Sequence, residues 1–193
     1  MRVYSLLIRG TAMKYEIHLT DEDYLEFNKF HAIRSPYGKK TVRNCRILIA
    51  CIFALAIVAT LLSGGFTLDS VFRSIPYAVL LLLFEIFLKA FLIATVKSTV
   101  KQLKKKGKMA YTPHSTLEFK ESSFIESCDE HVTEQSYASV ERISVIKEKY
   151  VYLHTNNLAG FIVPSSAFSC KAEYEAFIAF LPTICPTIDH YDE

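Results

Sequence analysis

The sequence predicts an α+β membrane protein, a two-helix transmembrane hairpin followed by a small antiparallel β domain that a C-terminal helix closes. Three observations lead there: two long apolar runs, a change from continuous to alternating hydrophobicity after Lys108, and lysine and arginine crowded at one end of both runs. The chain has 193 residues, enough for a membrane segment and a domain of roughly 80 residues, near the lower limit of what folds unaided. Hydrophobic residues make up 51% beside 22% charged ones, a mixture that arises when the apolar residues come in blocks.

The first block, Ile47 to Leu68, holds no charged residue. As a helix it is about 33 Å long, enough to cross a hydrocarbon core of about 30 Å. The second, Ile75 to Val96, matches it in length and is interrupted only by Glu85 and Lys89. Helices this long and apolar on every face fit a bilayer better than a soluble bundle. Ser63-Gly64-Gly65 offers an exit from the first helix, and Ser74 with Pro76 an entry to the second. The short connection makes the two antiparallel neighbours. Arg43 and Arg46 precede the first run, with Arg34, Lys39 and Lys40, and Lys97, Lys101, Lys104, Lys105, Lys106 and Lys108 follow the second. The loop between them offers Asp69 and Arg73 alone. Since lysine and arginine resist translocation, both termini are expected in the cytoplasm of a two-span cell-membrane protein.

The flanking parts read as soluble structure. Tyr15, Ile17 and Leu19 alternate with Glu16 and His18 as a short strand, and Thr20-Asp21-Glu22-Asp23 caps an amphipathic helix carrying Tyr24, Phe27, Phe30 and His31. Ser35-Pro36-Tyr37-Gly38 ends it. Beyond the lysines, Leu117–Lys120 and Phe124–Glu126 form a hairpin about Glu121-Ser122-Ser123. His131–Tyr137, Val140–Lys147, Tyr150–His154 and Ala159–Val163 are further strands, with a turn at Thr155-Asn156-Asn157. Ala172–Leu181 sets Tyr174, Phe177, Ile178 and Leu181 on one helix face. Such a meander closed by one helix outlines a pleckstrin-homology-like barrel, with small SH3-like barrels as the rival. The resulting division is a flexible tail (1–12), a cytoplasmic strand and amphipathic helix (13–45), the hairpin (46–97), a basic linker (98–115), the β domain (116–185) and a tail (186–193). Residues from about Ala110 onward are expected to express as a folded β-rich monomer or as a soluble aggregate-prone domain, and folding only when Tyr15–Leu19 is supplied would mean that this strand completes the sheet.

The order of these parts, and the ending Tyr150-Val151-Tyr152-Leu153, Phe161-Ile162-Val163-Pro164, Ala167-Phe168 and Glu173-Tyr174-Glu175-Ala176-Phe177, resembles the bacterial YcxB-like membrane proteins over roughly Lys14 to Leu181. The resemblance implies a membrane protein with a cytoplasmic pleckstrin-homology-like domain, and it carries over no catalytic residues. The family pattern would begin near Met13-Lys14, so Met1–Ala12 is an addition, either a tail or a start placed upstream.

Motifs for chemistry are missing. There is no GxSxG, HExxH, GxxxxGK or GxGxxG in the sequence. The five cysteines, Cys45, Cys51, Cys128, Cys170 and Cys185, form no CxxC pair and fit a reducing compartment. Cys128-x-x-His131 has ligand-like spacing but lacks the third and fourth ligands of a metal site, so turn residues between strands explain it. The hairpin Glu118–Glu126 is too acidic for a phosphoinositide site. No enzyme activity, no cofactor and no nucleic-acid partner is expected. Glu85 and Lys89 stand out as an intramembrane polar pair, spaced i, i+4 with the acid first, an arrangement that lets them neutralise each other while Lys89 snorkels. An oligomer contact is the second use of such a pair, and a proton or ion relay the third, disfavoured because no other intramembrane group extends a path. Ala50/Ala54 and Ala56/Thr60/Ser63 offer small faces for helix packing. The lysines Lys97–Lys108 fix topology and secondarily attract anionic lipid. The expected function is a non-enzymatic membrane protein whose cytoplasmic domain is an interaction or scaffolding module, with the bilayer and a protein partner or a second copy as its partners. The alternative is a small transporter or channel subunit using Glu85 and Lys89.

Overall fold

The computed structural model describes residues 13–109, 111–156 and 160–192. The tail read at 1–12, Asn157 of the expected turn and Ala159 lie outside them. The chain forms two units, one of residues 1–27 with 110–193 and one of residues 28–109.

The second unit is a helical hairpin. Helix α1 (Asp21–Ile33) begins in the first unit and ends in this one, and α2 (Pro36–Gly64) starts three residues later. Ser35 makes the corner: its hydroxyl donates to the His31 carbonyl and accepts from the Gly38 N–H, while Pro36 takes the first helical position. Gly38 is required there, because a Cβ would stand 2.6 Å from the Ala32 carbonyl carbon. So Ser35–Gly38 ends one helix and opens the next, and the basic residues from Lys39 to Arg46 form the first turns of α2, continuous with its apolar run. At the far end Gly65 adopts φ +64° and donates to the Leu61 carbonyl. Thr67 caps α3 (Leu68–Lys105), its hydroxyl accepting from the Ser70 N–H. The entry expected at Ser74 and Pro76 therefore lies inside α3, which begins earlier because Thr67 supplies the cap. The helix also absorbs Lys97, Lys101, Lys104 and Lys105, much of the expected linker. Both α2 and α3 are long and apolar enough to cross a membrane.

The first unit is built from two four-stranded sheets. One has the order β1 (Met13–His18), β2 (His114–Phe119), β3 (Ser123–Ser127), β4 (Val132–Ser136), all antiparallel. The other runs β7 (Gly160–Pro164), β6 (Tyr150–His154), β5 (Arg142–Ile146), β8 (Ile188–Tyr191), with β8 parallel to β5. Helix α4 (Lys171–Ile184) packs Phe177, Leu181 and Ile184 into the core between them. The outline of strands and closing helix holds, but the sheets do not close into the expected barrel. Two departures from the sequence reading accompany this: β8 lies in the stretch read as a tail and covers an edge of β5, and β1 belongs to the same sheet as β2.

That second departure matters most. Period-two alternation sends Tyr15 and Ile17 inward, and Ile17 is 1% exposed beside Leu117 and Phe119 in one cluster. Tyr15 packs edge-on against Phe119, Phe168 and Phe177. Residues 111–193 alone would leave this surface open, so they are expected to aggregate or stay unfolded. The same residues preceded by 13–27 on a flexible linker should fold cooperatively, and circular dichroism melts of the two fragments check this. In the full chain, Ile17→Ala should destabilise the unit by about 2–4 kcal/mol through the cavity it leaves, read from the melting midpoint.

Candidate functional site

Residues facing the α2–α3 seam recur at spacings of three and four along α3: Ser70, Ser74, Leu81, Glu85, Leu88, Leu92, Val96 and Val100 are buried or half-buried. Glu85 is on this seam and Lys89 is exposed. The carboxylate pairs across the hairpin with Arg46, whose Nε lies 3.0 Å from Oε2. The contact is an ion pair without the alignment of an N–H···O hydrogen bond. The expected Glu85–Lys89 pairing is thus replaced by Glu85–Arg46. Sequence order explains the exchange: Arg46 and Glu85 are each about 27 Å along their helices from the Gly65–Thr67 turn, so an antiparallel hairpin sets them level. A slab of about 30 Å laid over the uncharged run of α2 ends at this pair and not beyond it. Ala56 and Thr60 are half-buried, whereas Ala54 and Ser63 are exposed, so only part of the small-residue face meets α3. Arg43, Lys97, Lys101, Lys104, Lys105, Lys106 and Lys108 are exposed. Counting outward from the Ser63–Gly65 exit would have revealed Arg46 as the partner.

In the first unit, Asp21 and Asp23 join α1 to Tyr111 and to Tyr150 of the second sheet. Thr20 and Asp23 form a reciprocal cap, the Thr20 N–H and hydroxyl donating to the Asp23 carboxylate and the Asp23 N–H to the Thr20 oxygen. Tyr150 donates to Asp23 at 2.7 Å and Tyr111 to Asp21 at 2.7 Å. Tyr24 stacks on Tyr111, and Phe27 meets Tyr152 edge-on. Burial raises the Asp23 carboxyl, but the hydrogen bonds from Thr20 and Tyr150 together outweigh it and hold the group below its ordinary value. Burial, then the hydrogen bond and charge of Asp21, pushes Tyr111 up to about 12. Burial first and Asp23 second also raise Tyr150.

Elsewhere this unit has an open groove of about 910 Å³ beside α4 and β8, with Phe168, Tyr174 and Ile178 among its apolar lining residues. Lys147 and Lys171 on its walls are matched by Glu148, Glu175 and Asp192. Cys128 and His131 meet at 3.1 Å across the β3–β4 turn. The pairing of β1 with β2 also brings together His18 and His114, distant in sequence, with Nδ1 atoms 2.7 Å apart. Only the register of the two strands could have shown this pair in the sequence. Among the described residues no group of three or more histidines, cysteines or carboxylates is placed to hold a metal ion. No family model matches the chain, and no curated protein or solved structure does.

Two predictions follow from the polar contacts. Arg46→Leu should leave Glu85 unpaired and destabilise the hairpin by about 1 kcal/mol, the pair being part-exposed, while Arg46→Leu with Glu85→Leu should recover the loss and Lys89→Leu should change little. The thermal aggregation midpoint in detergent reads all three. For Asp23 the folded chain binds its proton less readily than the unfolded one, so its stabilisation is complete above about pH 5 and lost as the pH falls through the carboxylate range. The tyrosines have the opposite sign: their contribution is present below about pH 10 and lost as the pH rises toward the raised values. Tyr150→Phe should cost about 1–2 kcal/mol at neutral pH and flatten the acid limb of a stability–pH profile measured by denaturant melts.

Proposed function

We propose that the chain is a two-span membrane protein of the YcxB-like kind, with both hairpin ends in the cytoplasm, and that its β-rich unit is a non-enzymatic interaction or scaffolding module for a protein partner or a second copy. The observation that carries this reading is the six-residue pairing of β1 with β2, from Met13↔Phe119 to His18↔His114. The strand before the hairpin and the strand after it share one sheet, so a hairpin that enters a bilayer returns to the side it left. The basic residues at the open end, against a lone Asp69–Arg73 ion pair near the turn, favour the cytoplasm as that side. The groove beside α4 supports the binding part: an aromatic lining with matched charges suits a protein surface better than a phosphate-bearing ligand. Asp21 and Asp23 are engaged in attaching α1.

A transporter reading draws on Glu85, which faces the seam between the helices. Its carboxylate is neutralised by Arg46, and the spans supply no further acid to extend a path. The two readings separate cleanly in experiment. A reporter after Glu193 should be active only in its cytoplasmic sense and one inserted at Gly65 only in its external sense. Proteoliposomes of the purified chain should show no ion or proton flux above empty vesicles. A flux that Glu85→Gln abolishes would give the function to the hairpin instead.

A further inference from the structure

His18 closes β1 and His114 opens β2, so the two imidazoles stand opposite each other where the sheet gives way to the segments leading to and from the hairpin. Both are exposed, and their Nδ1 atoms approach to 2.7 Å with the rings at 72°. At that distance one nitrogen carries a proton and the other presents a lone pair. The strands beneath are fixed by the buried Ile17 and Ser115 of the neighbouring ladder pair, so the backbone holds the two side chains opposite each other while their exposed rings can turn. We propose that His18 and His114 form a chelating site for a divalent transition-metal ion, which clamps β1 to β2 at the hairpin end of the sheet.

The geometry selects the ion. With metal–nitrogen bonds near 2.05 Å, two nitrogens stand about 2.9 Å apart around a right-angle bite and about 3.3 Å apart around a tetrahedral one. The observed 2.7 Å is the length of the present hydrogen bond, which opens to one of these separations when an ion takes the place of the shared proton. Each exposed ring turns by about 45° from the hydrogen-bonded arrangement to bring its lone pair onto one ion, and the ring holding its proton at Nδ1 takes the Nε2–H tautomer. Right-angle coordination by imidazole favours Ni²⁺ and Cu²⁺ over Zn²⁺, with water filling the remaining positions. The β3–β4 turn hangs from the same end of the sheet, since Thr116 pairs with Ser127, and it carries the Cys128–His131 contact. That pair is the internal competitor for the ion.

The test uses the full chain without a histidine tag, in detergent, stripped with chelator and titrated with Ni²⁺, which does not oxidise the five free cysteines. Calorimetry should give one ion per chain, bound more tightly than Zn²⁺, and the melting midpoint of the β-rich unit should rise with Ni²⁺ concentration. His18→Gln and His114→Gln, each at an exposed position, should weaken binding at least tenfold and abolish the rise in midpoint, whereas Cys128→Ser with His131→Gln should retain both. Absence of binding at millimolar Ni²⁺ would overturn the proposal. So would binding unchanged in His18→Gln, or binding lost only in the Cys128/His131 variant.

Discussion

Everything in the first unit depends on β1 finding β2 after the whole hairpin has intervened. Closing so long a loop has a large entropic cost in a flexible chain, although the cost grows only slowly with length. The hairpin reduces it by being stiff: two antiparallel helices joined by the tight Gly65–Thr67 turn carry their outer ends back toward each other. The sheet therefore closes over a preformed bridge, not over a random coil. The same dependence explains why β1 is short yet contributes Tyr15 and Ile17 to the core. It must supply enough apolar surface to hold the closure without help from neighbouring sequence.

Period-two alternation distributes the second sheet between two neighbours. On β6, Val151 and Leu153 enter the core with α4, and Tyr150, Tyr152 and His154 take the other face. Phe27 and the acidic first turn of α1 meet that face. Asp21 and Asp23 there do two things at once, opposing the positive end of the helix dipole and accepting the tyrosine hydroxyls. An acid in the first turn of a helix is a common solution to the dipole. Its pairing with Tyr150, far away in sequence, is what makes the position specific to this fold.

Local signals in the sequence were strong enough to give nearly every strand, the closing helix, both long apolar helices and the cap at Thr20. They failed at helix ends where two local signals competed, and at contacts set by register between distant segments. Ser35-Pro36-Tyr37-Gly38 reads equally as a stop or a start, and only the close approach of Gly38 to the α1 carbonyls makes it both. Pro76 suggested a helix entry because its missing N–H is harmless in a first turn, but the Thr67 cap opened the helix earlier and left the proline inside. His18 and His114 carry no mark in the sequence of their meeting. The β8 strand was hidden for another reason: four residues after a helix, with three titratable side chains among them, give no alternation long enough to recognise.

Register also changes what the charges in the hairpin mean. Read alone, α3 centres its apolar run on Glu85 and α2 begins its uncharged run just after Arg46, so each helix asks for a different depth. Setting Arg46 level with Glu85 reconciles them at one point, a neutral pair at the border of the α2 run. Past that border the two helices part in character. Ile86 to Val96 continues apolar except for Lys89, whereas the antiparallel partner stretch Pro36 to Cys45 carries Lys39, Lys40 and Arg43. So at the same level of the hairpin one helix is apolar and the other basic. Lys89, exposed one turn beyond the Glu85–Arg46 pair, stands level with the basic start of α2, and its place in the second helix needs no acid beside it.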